Sequence, residues 1–140
     1  MMATGFTILE HTADVGFEAR GETAAAMFEQ AASALLSIAV DDRDLGGSAR
    51  WSLTVRAPDY PSLLVNFLEE ILYLFDTGRF APRSCEVTGL DSTSVAATLV
   101  GETRDPRRHP WRLIVKAVTY HGLEVTEHDG TWVGRVFLDV

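Results

Sequence analysis

Apolar and polar residues alternate over Phe6 to Leu9 and again over Val15 to Ala19, on either side of a His11-Thr12-Ala13-Asp14 corner. A period of two predicts two strands or one bent strand, with the corner exposed. Beyond Gly21 the period changes. Met27, Phe28, Ala31, Leu35 and Ile38 recur at the spacing of one helix face, so a helix is expected over Ala24 to Ala39 with Thr23 as its N-cap. The polar, Gly-containing stretch Asp41 to Ser48 reads as a loop, and Trp51, Leu53 and Val55 mark a half-buried strand ending at Ala57-Pro58. Asp59 or Tyr60 then caps a second helix. Pro61 sits in its first turn, where a missing N–H costs nothing, and a broad apolar face from Leu63 to Phe75 runs until Gly78.

From Cys85 onward only strand signals remain: Cys85 to Thr88, Ser94 to Gly101, Arg112 to Thr119, Leu123 to Glu127 and Trp132 to Val140, with Asp129-Gly130 as a hairpin turn. The order strands, helix, strand, helix, strands lacks the alternation of a parallel sheet. It predicts an α+β sandwich, two helices packed on one face of a largely antiparallel sheet, as one domain over residues 1–140. The last strand reaches the final residue, which is expected to hold the carboxyl terminus at the sheet edge.

Composition narrows the function classes. With 46% hydrophobic and 23% charged residues, the chain can bury a core without staples. No apolar run approaches the roughly 20 residues of a membrane helix, and Met1 to Gly5 lacks the features of a signal peptide, so a cytoplasmic protein with no membrane role is expected. The formal charge of −8 opposes phosphate backbones; it disfavours DNA and non-specific RNA and favours basic partners or metals. The single cysteine, Cys85, permits no internal disulfide and no cysteine-based metal site; it reads as a small apolar residue.

Asp14 lies beside His11 in the first corner, and Asp139 is penultimate, next to the Val140 terminal carboxylate. If the first and last strands are neighbours, close carboxylates repel unless a cation lies between them, and oxygen donors favour Ca²⁺, with Mg²⁺ or Mn²⁺ as alternatives. The bland reading is a turn aspartate and a solvated chain end. The four histidines share no metal-ligand spacing, and no nucleophile elbow, phosphate loop or dinucleotide fingerprint is present. Arg104, Arg107, Arg108, His109 and Arg112, followed by Lys116, form one basic cluster, read either as an RNA or acidic-partner contact or as a solvated hairpin tip. Lys116, in an apolar segment, must face solvent or pair with a carboxylate such as Glu102.

Taken together, His11-Thr12-Ala13-Asp14-Val15-Gly16, the Leu63 to Tyr73 segment, Gly101-Glu102, Lys116 to His121 and the ending Leu138-Asp139-Val140 resemble the archease family along essentially the whole chain. The resemblance implies an accessory protein, not an enzyme, that supports guanylylation and multiple turnover of a GTP-dependent tRNA-splicing RNA ligase. Any contact with tRNA would be indirect. It implies a divalent-metal site, usually assigned to Ca²⁺, at Asp14, Asp139 and a main-chain or terminal oxygen of Val140. His11, Glu102, His109 and Lys116 match further polar positions of the family and are expected near that surface. The stretch Thr103 to Pro110 is richer in arginine than the family pattern. Alternatives are a free-standing metal-dependent hydrolase and a scaffold acting through the arginine-rich loop.

Overall fold

The computed structural model describes residues 4–10 and 14–140. Nine elements follow in order: β1 (Gly5–Glu10), β2 (Asp14–Gly21), α1 (Ala24–Ala39), β3 (Ala49–Arg56), α2 (Tyr60–Asp76), β4 (Ala81–Asp91), β5 (Ser94–Glu102), β6 (Ala117–His128) and β7 (Thr131–Asp139). Both helices start where their caps require. Thr23 accepts a hydrogen bond from the Ala26 N–H at 3.0 Å, and Asp59 accepts one from the Ser62 N–H at 2.8 Å. Gly78, at φ +76°, takes up the left-handed turn after α2.

The α+β class and the antiparallel pairing stand, with the strands divided between two sheets of order β1-β2-β7-β6 and β3-β5-β4. Helix α1 packs on β2 and β4, whereas α2 packs on β6 and β3, so each helix touches both sheets. One apolar cluster fills the space between them, with Phe17, Phe28, Phe67 and Leu99 fully buried. Gly134 of β7 lies under both helices: a Cβ there would come within 2.7 Å of the Met27 sulfur and 3.0 Å of Leu64 Cδ2.

Three expectations are corrected. The last strand is interior, flanked by β2 and β6. Its Val136, Phe137 and Leu138 are all buried, which needs cover on both faces of the sheet. The segment expected as a strand from Arg112 joins the sheet only at Ala117; before that the Arg112 N–H donates to the Ala39 carbonyl at 2.7 Å and Trp111 bridges to Val40, so the chain follows the end of α1. The strands expected over Arg112 to Thr119 and Leu123 to Glu127 are, from Ala117, one strand, β6. It is interrupted where Tyr120 to Leu123 stand across from Val136, between the pairs Thr119–Phe137 and Glu124–Arg135. The Asp129-Gly130 hairpin is as expected, with φ of 51° and 77°.

Candidate functional site

Antiparallel pairing of β2 with β7 sets Asp14 directly opposite Asp139, at the end where both strands stop. Residues opposed in this way project to the same face, with Cβ atoms about 5 Å apart. Two carboxylates far apart in sequence are thereby juxtaposed by backbone register alone. On the other flank of β7, Ala117 pairs with Asp139, and the Lys116 N–H donates to the Asp139 carbonyl oxygen at 2.7 Å. Lys116 is exposed, so solvent, not Glu102, receives its charge. Val140, which follows, is half-buried against the core. The residues able to hold a cation here are Asp14, Asp139 and the main-chain oxygens beside them, an oxygen-only donor set that fits a hard divalent ion. Among the described residues no group of three or more His, Cys, Asp or Glu side chains converges. His11 lies outside the described residues.

Glu102 and His109 are brought together at the end of β5. The Glu102 carboxylate accepts from the Gly46 N–H and from the Arg108 guanidinium at 2.8 Å. The Arg108 hydrogen bond, followed by that from Gly46, holds its carboxyl below the usual carboxylate range. His109 is fully buried; its Nδ1 accepts from the Asp105 N–H at 2.9 Å, and Nε2 lies 3.7 Å from Glu102 with no hydrogen-bond partner among the described residues. An accepting Nδ1 leaves Nε2 as the protonated nitrogen of the neutral ring. Lys116 is bonded through its N–H to Asp139 of β7, and Glu102 and His109 pin the loop that leaves β5.

The arginines of that loop are anchors. Arg104 lies 3.9 Å from the centre of the Phe75 ring and donates to the Phe75 carbonyl at 2.8 Å, a second bond on an acceptor that the Gly78 N–H also uses at the end of α2. Arg108 also donates to the Asp44 carbonyl, and Arg112 donates to the Ser37 carbonyl, each at 2.9 Å. Trp111 stacks edge-on against Phe75, ring centres 4.8 Å apart. Sequence reasoning took these arginines for surface charge because their acceptors are main-chain carbonyls, which no side-chain pattern reveals. Cys85 is half-buried, and burial pushes its thiol up to about 12, which keeps it protonated and inert.

Residues 6–140 match the Archease protein family (MTH1598/TM1083). The chain belongs to the archease family. It is 34% identical to the archease of Methanosarcina barkeri over 139 residues, covering 96% of this chain and 95% of the relative. It is 33% identical to the archease of Aeropyrum pernix, covering all of both. The solution structure of protein 1598 from Methanobacterium thermoautotrophicum superposes with a TM-score of 0.82 at 32% identity, covering 97% of this chain and 99% of that one. A Thermotoga maritima archease, described as a possible chaperone, has the same fold, with a TM-score of 0.65 at 18% identity over 94% of each chain. Among the described residues no helix is long and apolar enough to cross a membrane.

Proposed function

We propose that this archease is a non-catalytic activator of a GTP-dependent tRNA-splicing RNA ligase, acting through the Asp14–Asp139 end of the β2–β7 pair. The observation that carries the reading is the cross-strand register of the two aspartates. The two residues stand opposite each other at a sheet end, in a register that a slip of one residue would break by turning Phe17 and Val136 out of the core. Asp14, Asp139 and a main-chain or terminal oxygen of Val140 would hold a divalent cation, Ca²⁺ before Mg²⁺ or Mn²⁺. When bound, such an ion supplies positive charge for phosphate oxygens.

The side chains do the rest. Two carboxylates on one face give the tip a negative field suited to a cation-containing nucleotide pocket on the partner. Lys116 is exposed and its backbone N–H donates to the Asp139 carbonyl, which leaves its ammonium open to a phosphate. The partner supplies the nucleophile and the nucleotide. A scaffold that grips RNA through the arginine loop is less favoured, because Arg104, Arg108 and Arg112 each already donate to a main-chain carbonyl.

The test is guanylylation of a cognate ligase under multiple turnover, with wild-type protein and with Asp14→Ala and Asp139→Ala. We expect stimulation by the wild type and at least tenfold less from either variant, both retaining the wild-type circular dichroism spectrum. Full stimulation by folded variants would overturn the role given to the aspartates, and hydrolysis of nucleotide by the isolated protein would overturn the non-catalytic one.

A further inference from the structure

The β2–β7 pair divides its side chains between two faces. Gly134 lies under both helices, so Val136 and Leu138 point the same way, and Arg135, Phe137 and Asp139 point to the opposite face of the sheet. The register sets Glu18, Gly16 and Asp14 across from these three. That second face therefore carries three successive rungs, Glu18–Arg135, Gly16–Phe137 and, where the strands stop, Asp14–Asp139. The first rung is closed by an ion pair at 3.0 Å, whereas neither aspartate has an ion-pair partner among the described residues.

Phe137 is 9% exposed although it points away from the helices, and it lies outside the apolar cluster between the sheets. Its ring spans the sheet. A Cβ on Gly16 of β2 would come within 2.6 Å of one ring edge, and a Cβ on Gly122 of β6 within 2.9 Å of the other. Two missing side chains make room for the ring, one of them at Gly122, which takes φ +67° where β6 is interrupted. The His121 ring packs against it with centres 6.4 Å apart, and Thr119 Oγ1 donates to the Phe137 carbonyl at 3.2 Å. An aromatic side chain reaches its diagonal neighbour on the facing strand, here Asp14, and Asp139 is the next residue along β7 on the same face.

We infer that Phe137, seated between Gly16 and Gly122, is a positioning residue for the cation: it is the apolar wall on the inner side of the Asp14–Asp139 rung and sets the affinity there. This rests on the cation reading of the two aspartates. The ring keeps water from one side of the carboxylates, where their attraction for an ion is then less screened. It also locks the neighbouring rung, so the carboxylates are held opposed before the ion arrives and less ordering remains to be done on binding. Arg135, beyond the ring, is taken up by Glu18 and leaves the aspartate charge to the ion.

The deciding experiment measures binding of CaCl₂ to the full chain by isothermal titration calorimetry, with wild type, Phe137→Ala, Phe137→Leu and the control Val133→Ala. Val133 lies on the same face of β7, two rungs further from the aspartates than Phe137, so its truncation loses packing without opening the wall. Loss of support around a metal site costs roughly 10–100-fold in affinity. We expect Kd to rise about tenfold or more in Phe137→Ala and about threefold or more in Phe137→Leu, whose side chain cannot fill both glycine positions, with Val133→Ala within about twofold of wild type. Phe137→Leu decides the matter if the alanine variant does not fold. A folded Phe137 variant that binds within about twofold of wild type, or an equal loss in Val133→Ala, would overturn the inference and leave the cation reading standing. Absence of Ca²⁺ binding by the wild type would overturn the cation reading and the wall with it.

Discussion

Glu102 shows how one carboxylate can organise a loop without taking part in chemistry. It joins Gly46 of the loop after α1, Arg108 of the loop after β5 and the Nε2 edge of His109. Arg108 and then Gly46 lower its pKa, so its contribution to stability is fully present above the ordinary glutamate range and is lost as pH falls through the lower folded value. Glu102→Gln should therefore lower Tm at neutral pH and converge with wild type in acid, where the wild-type carboxyl is also protonated. Thermal melts followed by near-ultraviolet circular dichroism, which senses the Phe75–Trp111 stack, would show this; parallel melting curves at every pH would refute it. The sequence marked Glu102 and His109 as polar residues of interest. It could not show that Glu102 joins Gly46 to Arg108, because that depends on how the loop after α1 folds against the end of β5.

At the scale of elements, the two helices finish the sheets they cover. Strands β4 and β6 are sheet edges, and each has an N–H satisfied from a helix: Glu29 of α1 accepts from Val87, and Glu69 of α2 accepts from Val118, both at 2.8 Å. Edge strands with free N–H groups invite pairing with other chains, and a helix carboxylate across the edge blocks that. Glu69→Ala should cost about 1–3 kcal/mol for a hydrogen-bonding group left without its partner. It should also speed amide exchange at Val118, with Glu69→Gln retaining most of the protection; unchanged exchange would count against the clasp. Both helices were legible from their caps and apolar stripes, since those signals are local. The strand expected from Arg112 was not: an apolar run that packs along the end of α1 has the same pattern as one in a sheet.

Across the whole molecule, the two sheets carry different duties. The β3-β5-β4 sheet and its loop are braced by arginine-to-carbonyl bonds, while the other sheet brings Asp14, Asp139 and Lys116 to one end. If that end binds Ca²⁺ in the native state only, the ion stabilises the whole fold by about 2.7 kcal/mol at a hundred times its Kd. Tm should rise with added Ca²⁺ in the wild type and not in Asp139→Asn. A rise of equal size in the variant would place the ion elsewhere.

The chain by itself determined the α+β class, the extent and N-cap of α1, the start of α2 and the Asp129-Gly130 turn, because each is written in residues close together in sequence. It also offered Asp14 and Asp139 as candidate carboxylates, which resemblance to a family, and not spacing, favoured. Only the tertiary structure decided that these two oppose each other, that the last strand is interior, and that Arg104, Arg108 and Arg112 donate to main-chain carbonyls. The physical reason is common to all three. Strand pairing and main-chain acceptors are long-range partners, selected by how the whole core closes, and no local periodicity encodes them.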